Sequence, residues 1–586
     1  MTLRCDACRD GRAVADAVPT VLDMTRSDTR RPIHRRPTRR TTVAVVAALA
    51  AGALLAGCSA GSTAATRDSG PVRGGTLVYA TDREPTCLDP HNSGDMPQTY
   101  IARQYLDSLV SLQEDGSVQP WLASSWRISD DGTQYDFTLK QGVEFTDGTP
   151  FDAQAVVDNF TQILDPATQS STDLLYLTGY FDKATAISDH VVRITLKRPY
   201  SPLLAALSQA FFGMESPKAM ARGLAANCES PVGTGPFEVA KWNHERDVEL
   251  VRNDSYNSAP ADAKHQGPAY LDGITWKFLK DNTTRYGALS SGEADVIFNV
   301  PPESEGLAKA DPSIELQSFV HSGSPFSLDL NTQSTVFSDI RVRQAFVHAS
   351  DAKEAVESAY NGVFPYEGNA VSSGTPHYDA AYHEPFPYDP AAAKQLLDEA
   401  GWTGRDADGY RTKDGETLTV TLPYNADSAE TPPADVTILQ DIQAMEKRVG
   451  IKVVLQALDS SSMNAVWGDP KAYDLLGNYW NSPTPHVMYI KYSKATYDVD
   501  NGQNSAFAYD DELDRLLIAG TATTDPAKQA TAYAKAQQIL TSKAWSLPLY
   551  PIQTRLGIAD RVSGVWIEPS EGEPVLSDAY LIDGGK

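Results

Sequence analysis

Five cysteines, ten histidines and 76 acidic residues are the side chains of this chain suited to metal, nucleophilic or acid–base chemistry. Cys5-Asp6-Ala7-Cys8 has the spacing of half a zinc or redox site, but no second pair exists to complete four ligands. His377 and His383 stand six apart in a Pro/Tyr-rich loop, a setting typical of a surface turn rather than a metal pair. Asp510-Asp511-Glu512 and Asp514 precede Leu516-Leu517, where a helix start attracts acids through its dipole. Gly233-Thr234-Gly235-Pro236 lacks the third glycine of a dinucleotide loop and the Lys-Ser/Thr of a phosphate loop. Two glycines free to take φ > 0, then a proline before Phe237-Glu238-Val239, describe a tight turn entering a strand. There is no nucleophile elbow, zinc HExxH, P-loop or EF-hand loop. The many acids offer accidental pairs for glycoside hydrolysis, and nothing singles one out. The reading is therefore binding rather than catalysis, with no catalytic residue, no metal and no cofactor.

The elements that must position a binding site are mixed. Tyr135, Phe137 and Leu139 alternate with polar residues, and Asp131-Gly132 is a hairpin turn signal after Trp126-Arg127-Ile128. Asp152 reads as a helix N-cap before Ala155-Val156-Val157 and Phe160. Further on, Val342, Ala345, Phe346 and Ala349 form a helical stripe that leaves Arg341, Arg343 and His348 off the buried face. Asp351 with Glu354 makes a capping box. Asp389, Pro390 and Gly401 delimit another helix with Ala393, Leu396, Leu397 and Ala400 inward. At 586 residues the chain is long enough for two or more lobes, and no internal repeat of solenoid period is present.

The N-terminus is of another kind. Ten arginines precede Ala44, including Arg35-Arg36 and Arg39-Arg40, and an apolar run follows over residues 43–56. That run is too short to span a bilayer and fits a signal-peptide core. It ends in Leu55-Ala56-Gly57-Cys58, which looks like a lipobox whose Cys58 receives diacylglycerol and becomes the first mature residue. Residues 1–57 then form the signal peptide. Met24 starts one of normal length, so residues 1–23 read as a misassigned start; Sec export is the default over the twin-arginine route. Residues 58–73, rich in Ser, Gly, Ala and Thr, form a flexible tether with a reach of roughly 20 Å. The mature chain carries 40 basic against 71 acidic residues, a net of −31. No basic face for nucleic acid or anionic lipid is implied, and solubility of an exported protein accounts for the acidity.

Landmark strings follow one another along the mature chain. They are Gly74-Gly75-Thr76-Leu77, Phe145-Thr146-Asp147-Gly148-Thr149-Pro150-Phe151, Pro231-Val232-Gly233-Thr234-Gly235-Pro236-Phe237 and Asp339-Ile340-Arg341-Val342-Arg343-Gln344-Ala345-Phe346, then Leu396-Leu397-Asp398-Glu399-Ala400-Gly401. In this order they resemble the peptide- and nickel-type solute-binding proteins (family 5) that feed ABC importers. The resemblance implies an α/β, two-lobe, periplasmic-binding-protein-like fold of the class II type, with a hinge and an extra subdomain in the first lobe. It puts the first lobe at residues 74–320, the second at 321–544, and the return to the first lobe at 545–586. It also implies a Cys87–Cys228 disulfide, since both lie beside first-lobe landmarks; two buried free thiols are the other arrangement.

The implied partners are an ABC permease with its ATPase, a small peptide or peptide-like ligand, and the membrane through a lipid anchor only. The protein is then a monomer on the extracytoplasmic face of the cell membrane. Peptide-binding relatives often meet the ligand's α-amino group with an aspartate three residues after a tryptophan. Here Trp480 matches, but Pro483 occupies the aspartate position. Losing that charge-assisted bond costs roughly 1.5–3 kcal/mol, so another acid substitutes or the ligand has no free N-terminus. Asp474 and Asp329 are alternative suppliers. Tyr479, Trp480 and Asn481 are the expected cleft residues, followed by Phe326 and by residues 86–89, ending at Asp89. Alternatives are a non-peptide solute (a metal chelate, sugar derivative or other metabolite) and an extracytoplasmic enzyme or sensor on the same scaffold.

Overall fold

Strand β1, Thr76–Thr81, puts Leu77 and Tyr79 into the interior, where the Tyr79 ring stacks on Trp276 with centroids 4.0 Å apart. It belongs to a computed structural model that describes residues 70–92, 94–467, 469–497, 503–582 and 584–585. The expected signal peptide, the Cys5/Cys8 pair, Cys58 and most of the tether lie outside the described residues. Helix α1, Met96–Ala102, follows β1. A four-stranded antiparallel sheet comes next, built from β2 (Ala123–Ile128), β3 (Gln134–Leu139), β4 (Phe181–Ser188) and β5 (Val191–Leu196), in the order β2-β3-β5-β4. In β3 the alternation holds: Tyr135, Phe137 and Leu139 are buried. Gly132 takes φ 68° in the turn before it, and Asp131 accepts from the Thr133 amide. Between β3 and β4, helix α2 (Ala153–Ile163) starts where the Asp152 carboxylate accepts from the Ala155 amide at 2.9 Å.

The chain then returns to β1. Strands β6 (Phe237–Asn243), β7 (Asp247–Arg252), β8 (Gly273–Phe278), β9 (Val296–Phe298) and β10 (Ile314–Val320) join it in a seven-stranded sheet completed near the C-terminus. The turn into β6 corrects one expectation. Gly233 and Gly235 are not at positive φ; a Cβ on either would strike the backbone of Tyr105, at 1.9 Å and 2.4 Å. Close backbone approach, sealed by the Gly235 amide on Tyr105 O, is what requires glycine there. Nearby, Cys87 and Cys228 are joined in a disulfide with Cα atoms 4.7 Å apart.

Strand β11 (Phe326–Leu330) opens the second half, followed by α3 (Ile340–Ala349), α4 (Ala352–Ala359) and α5 (Pro390–Glu399). After them come β12 (Thr419–Asn425), α6 (Pro433–Val449), β13 (Lys452–Leu458) and β14 (Leu475–Asn478). Asp339, Asp351 and Asp389 all cap helix starts with their side chains, and the stripe of α3 is buried. Arg343 departs from expectation: it is buried, its guanidinium donating to the carbonyls of Phe337, Ser338 and Lys543, which satisfies a charge the helical pattern leaves in solvent.

Helices α7 (Asp511–Thr521) and α8 (Pro526–Lys543) precede the last long strands, β15 (Ser546–Tyr550) and β16 (Gln553–Ala559). β15 is buried throughout and pairs with β11 in a sheet ordered β14-β11-β15, whereas β16 lies between β10 and β9 in the seven-stranded sheet. The chain therefore passes between the two sheets at residues 321–325 and again at 551–552, after β15 rather than before it.

Candidate functional site

The two passages between sheets flank a groove. From the seven-stranded side come Asp82 and Arg83, which follow β1, and Met96 and Tyr100 of α1; from the other side come Phe326, Asp435 at the start of α6, Tyr479 just after β14, and Tyr550 at the end of β15. They enclose a cavity of about 510 Å³. A second cavity of about 200 Å³ adjoins it through Arg83, Met96, Glu430 and Tyr479, and adds Tyr176, Trp480, Asn481 and Glu571. Their size suits a small organic ligand.

Of the residues expected from sequence, Tyr479, Trp480, Asn481 and Phe326 line these cavities. β14 runs beside β11, so the segment after Asn478 emerges next to Phe326, and the Ser324 hydroxyl accepts from the Trp480 amide at 2.9 Å. Asp89 does not belong with them. It is fully buried away from both cavities, its carboxylate accepting from the Gln162 and Asn227 amides and from the His91 backbone N–H. Asp329 and Asp474 line neither cavity: Asp329 is buried against Lys491 Nζ at 3.2 Å, and Asp474 accepts from the Thr421 amide at 2.8 Å. Pro483 is buried beside the cleft segment.

Sequence reasoning missed the ionisable groups that give the groove its character. Arg83 Nη1 donates to Glu430 Oε1 at 2.6 Å, joining the loop after β1 to the loop before α6. Burial opposes the Arg83 charge, but Asp95, Glu430, Tyr479 and Asp82 outweigh it and hold its pKa above the ordinary value. Asp435 accepts from the hydroxyls of Tyr360 and Tyr550, each at 2.7 Å; burial pushes its pKa up to about 6 against those two bonds.

Glu571 lies at the other end, in the smaller cavity. Burial and then the neighbouring Glu573 and Glu568 drive its pKa well above the ordinary value, opposed by the Gln209 and Asn481 amides. The adjacent cation, Arg103, is engaged with Glu573 at 2.6 Å. Asn481 faces the same space. Its Nδ2 donates to His321 Nδ1 at 2.9 Å, while its Oδ1 has no hydrogen-bond partner among the described residues. Burial lowers His321 to about 4 despite that bond, so the ring is neutral and available as an acceptor. A carboxyl group crowded by other acids, and an amide oxygen with no partner among the described residues, make this end a place for a cation with several N–H bonds, such as an ammonium group.

Glu571 falls in Glu568-Pro569-Ser570-Glu571-Gly572-Glu573, a run that reads as a solvated acidic loop. All three glutamates are buried. Trp566-Ile567 immediately before them is the one local sign that the segment faces inward.

The family model for bacterial extracellular solute-binding proteins, family 5 (middle region), matches residues 117–499. A glutathione-binding protein of Salmonella typhi is 28% identical over 512 residues, covering 85% of this chain and 93% of that protein. The solved structure of a binding protein from Brucella suis in complex with Fe(III)-EDTA is 26% identical with a TM-score of 0.74, covering 86% of this chain and all of that one. A periplasmic binding protein associated with an ABC transporter of Helicobacter pylori, solved with a peptide, has a TM-score of 0.74 at 24% identity, covering 87% and 98%. The mixed α/β, two-lobe architecture expected from sequence is the one these structures have.

Proposed function

The chain belongs to the bacterial extracellular solute-binding proteins of family 5, and from that premise we propose that it captures a short peptide or peptide-like solute by closing two lobes on it. The family is one of transport receptors that work with an ABC permease and its ATPase; the chain then delivers its solute to such a pair and turns nothing over. The single observation that carries the peptide reading is the polarity of the groove. An acceptor-rich end at Glu571 and Asn481 suits an ammonium group, and Arg83 beside it suits a carboxylate or main-chain carbonyl. Glu571 thereby takes the part left vacant by Pro483. Trp480 and Phe326 supply apolar walls, and Tyr479 lies between the two cavities.

In this reading residues 74–320 form the first lobe and the second begins at 321, its last strand being β15, so that the return falls at 551–552. Arg83 and Glu430 meet across the groove and act as a latch of the closed form. Residues 1–57 are the signal peptide, Cys58 carries the lipid, and residues up to 73 tether a monomer to the extracytoplasmic face. Among the described residues no helix is long and apolar enough to cross a membrane. The Fe(III)-EDTA complex of the Brucella suis relative, together with Pro483, favours a second reading, a metal chelate or other non-peptide solute.

Mass spectrometry of what the purified protein releases on denaturation tests both. A ladder of short peptides carries the first reading; one non-peptide mass carries the second and removes Glu571 from the role given to it.

A further inference from the structure

Outside the groove, three ligand-type side chains converge with too few hydrogens among them. One ligand atom from each of Asp89, His91 and Glu215 lies within 4.8 Å of the others, and all three residues are fully buried. Their surroundings fix which atoms these are. His91 Nε2 faces the Gly213 carbonyl at 2.9 Å, and a carbonyl only accepts, so Nε2 carries the ring hydrogen. Nδ1 is then the unprotonated ring nitrogen; it lies 3.9 Å from Asp89 Oδ1 and has no hydrogen-bond partner among the described residues. Glu215 Oε1 has none either. The outer oxygens are already engaged: the Asn227 amide donates to both Asp89 Oδ2 and Glu215 Oε2, and Gln162 donates to Asp89 Oδ2. Among the described residues neither carboxylate pairs with lysine or arginine. Three ligand-type atoms therefore converge in a dry interior, with only the His91 backbone N–H donating to Asp89 Oδ1, an arrangement that either a cation between them or a proton shared by the two carboxyl groups must relieve.

We propose that Asp89 Oδ1, His91 Nδ1 and Glu215 Oε1 bind a divalent transition-metal ion of the zinc class as a structural site. An imidazole with two carboxylates is a donor set for zinc rather than for calcium or magnesium, which take oxygens alone. Tetrahedral zinc with bonds of about 2.1 Å wants its ligands about 3.4 Å apart, a contraction from the 4.8 Å within which the three atoms lie here, and a water taken in with the ion fills the fourth position. Asn227 and Gln162 are the outer partners that hold each carboxylate in orientation, and Gly213 O does the same for the imidazole. Because the site has no opening, the ion enters as the chain folds. The site is independent of the ligand reading. Its consequence for the groove is positional: with the neighbouring Cys87–Cys228 disulfide it pins the segment between β1 and α1, whose two ends present Arg83 and Asp95 to the cavities.

The test is elemental analysis of the full chain purified from zinc-supplemented medium and dialysed against EDTA. About one zinc per chain is expected to remain, and to be lost in both His91→Gln and Glu215→Gln. Wild-type protein unfolded and refolded with zinc chloride is expected to melt several degrees above the same protein refolded with EDTA. The Glu215→Gln variant, which keeps shape and volume, is expected to show no such difference. Substoichiometric zinc together with equal melting in zinc and EDTA overturns the proposal, leaving a proton shared between the two carboxyl groups. Zinc retained undiminished by both variants overturns it as well, since the ion is then bound elsewhere. If His91→Gln does not fold, Glu215→Gln and the two wild-type refolding arms decide alone.

Discussion

Two buried carboxyl groups, Asp435 and Glu571, line the groove, and they are treated in opposite ways. Asp435 accepts two tyrosine hydroxyls at 2.7 Å and has no acidic neighbour among the causes of its shift, so it remains a mild acid with a pKa of about 6. Glu571 accepts from the Gln209 and Asn481 amides but has two further glutamates beside it, and burial with those neighbours raises its pKa well above the ordinary range. The protein solvates the first internally and leaves the second short of positive charge. An acid with two donors and no other acid pressing on it tunes the pocket; an acid with two donors but two glutamates beside it is the one that recruits a cation. Glu571 is therefore the expected ammonium site, and Asp435 a pH-sensitive wall.

The largest effect that bears on this contrast is at Glu571. Glu571→Gln is expected to weaken binding of trialanine by about 10–100-fold, the loss of a charge-assisted bond of roughly 1.5–3 kcal/mol. N-acetyl-trialanine, which has no ammonium, should bind both proteins alike in isothermal titration calorimetry. Equal losses for the two peptides would erase the distinction between the acids.

Asp435→Asn comes next. A folded pKa raised above its ordinary value contributes stability that is fully present below that ordinary value and lost as pH rises through about 6. Wild type should therefore lose roughly 2 kcal/mol or slightly more relative to Asp435→Asn between pH 4 and pH 7. Urea unfolding at the two pH values measures it; a difference independent of pH means that Asp435 titrates normally.

Breaking the latch has a smaller effect. The Arg83–Glu430 pair is partly exposed, so Glu430→Gln should cost no more than about 1 kcal/mol of closed state. Stopped-flow kinetics should show it as a faster release of trialanine with little change in capture. Tyr479→Phe is the mildest change. Among the described residues its hydroxyl meets only Met96 Sδ, at 3.6 Å, and removing it should alter trialanine affinity by less than about threefold unless the ligand itself meets that hydroxyl.

Much of the scaffold was legible because its signals are local. Asp152, Asp339, Asp351 and Asp389 cap helices within three residues of themselves, and the alternation of Tyr135, Phe137 and Leu139 needs only the strand it lies on. The Tyr479–Asn481 segment was legible through the tryptophan it contains. Arg83, Glu430, Asp435 and Glu571 come from four distant stretches whose meeting depends on the two passages between sheets, and no periodicity encodes that. Asp89 misled for a related reason. It stands two residues after Cys87 in the first-lobe segment after β1, yet its carboxylate turns inward to Gln162 and Asn227 rather than toward the groove.

The most direct test of the Glu571 assignment is the proton count on binding. Trialanine should be titrated at neutral pH in two buffers of different ionisation enthalpy, with Glu571→Gln as the control. Burial and the neighbouring glutamates favour the protonated form of Glu571 and a ligand ammonium favours the carboxylate, so proton release on binding trialanine should appear with wild type and not with the variant. Identical heats in both buffers, with N-acetyl-trialanine bound as tightly as trialanine, would contradict it.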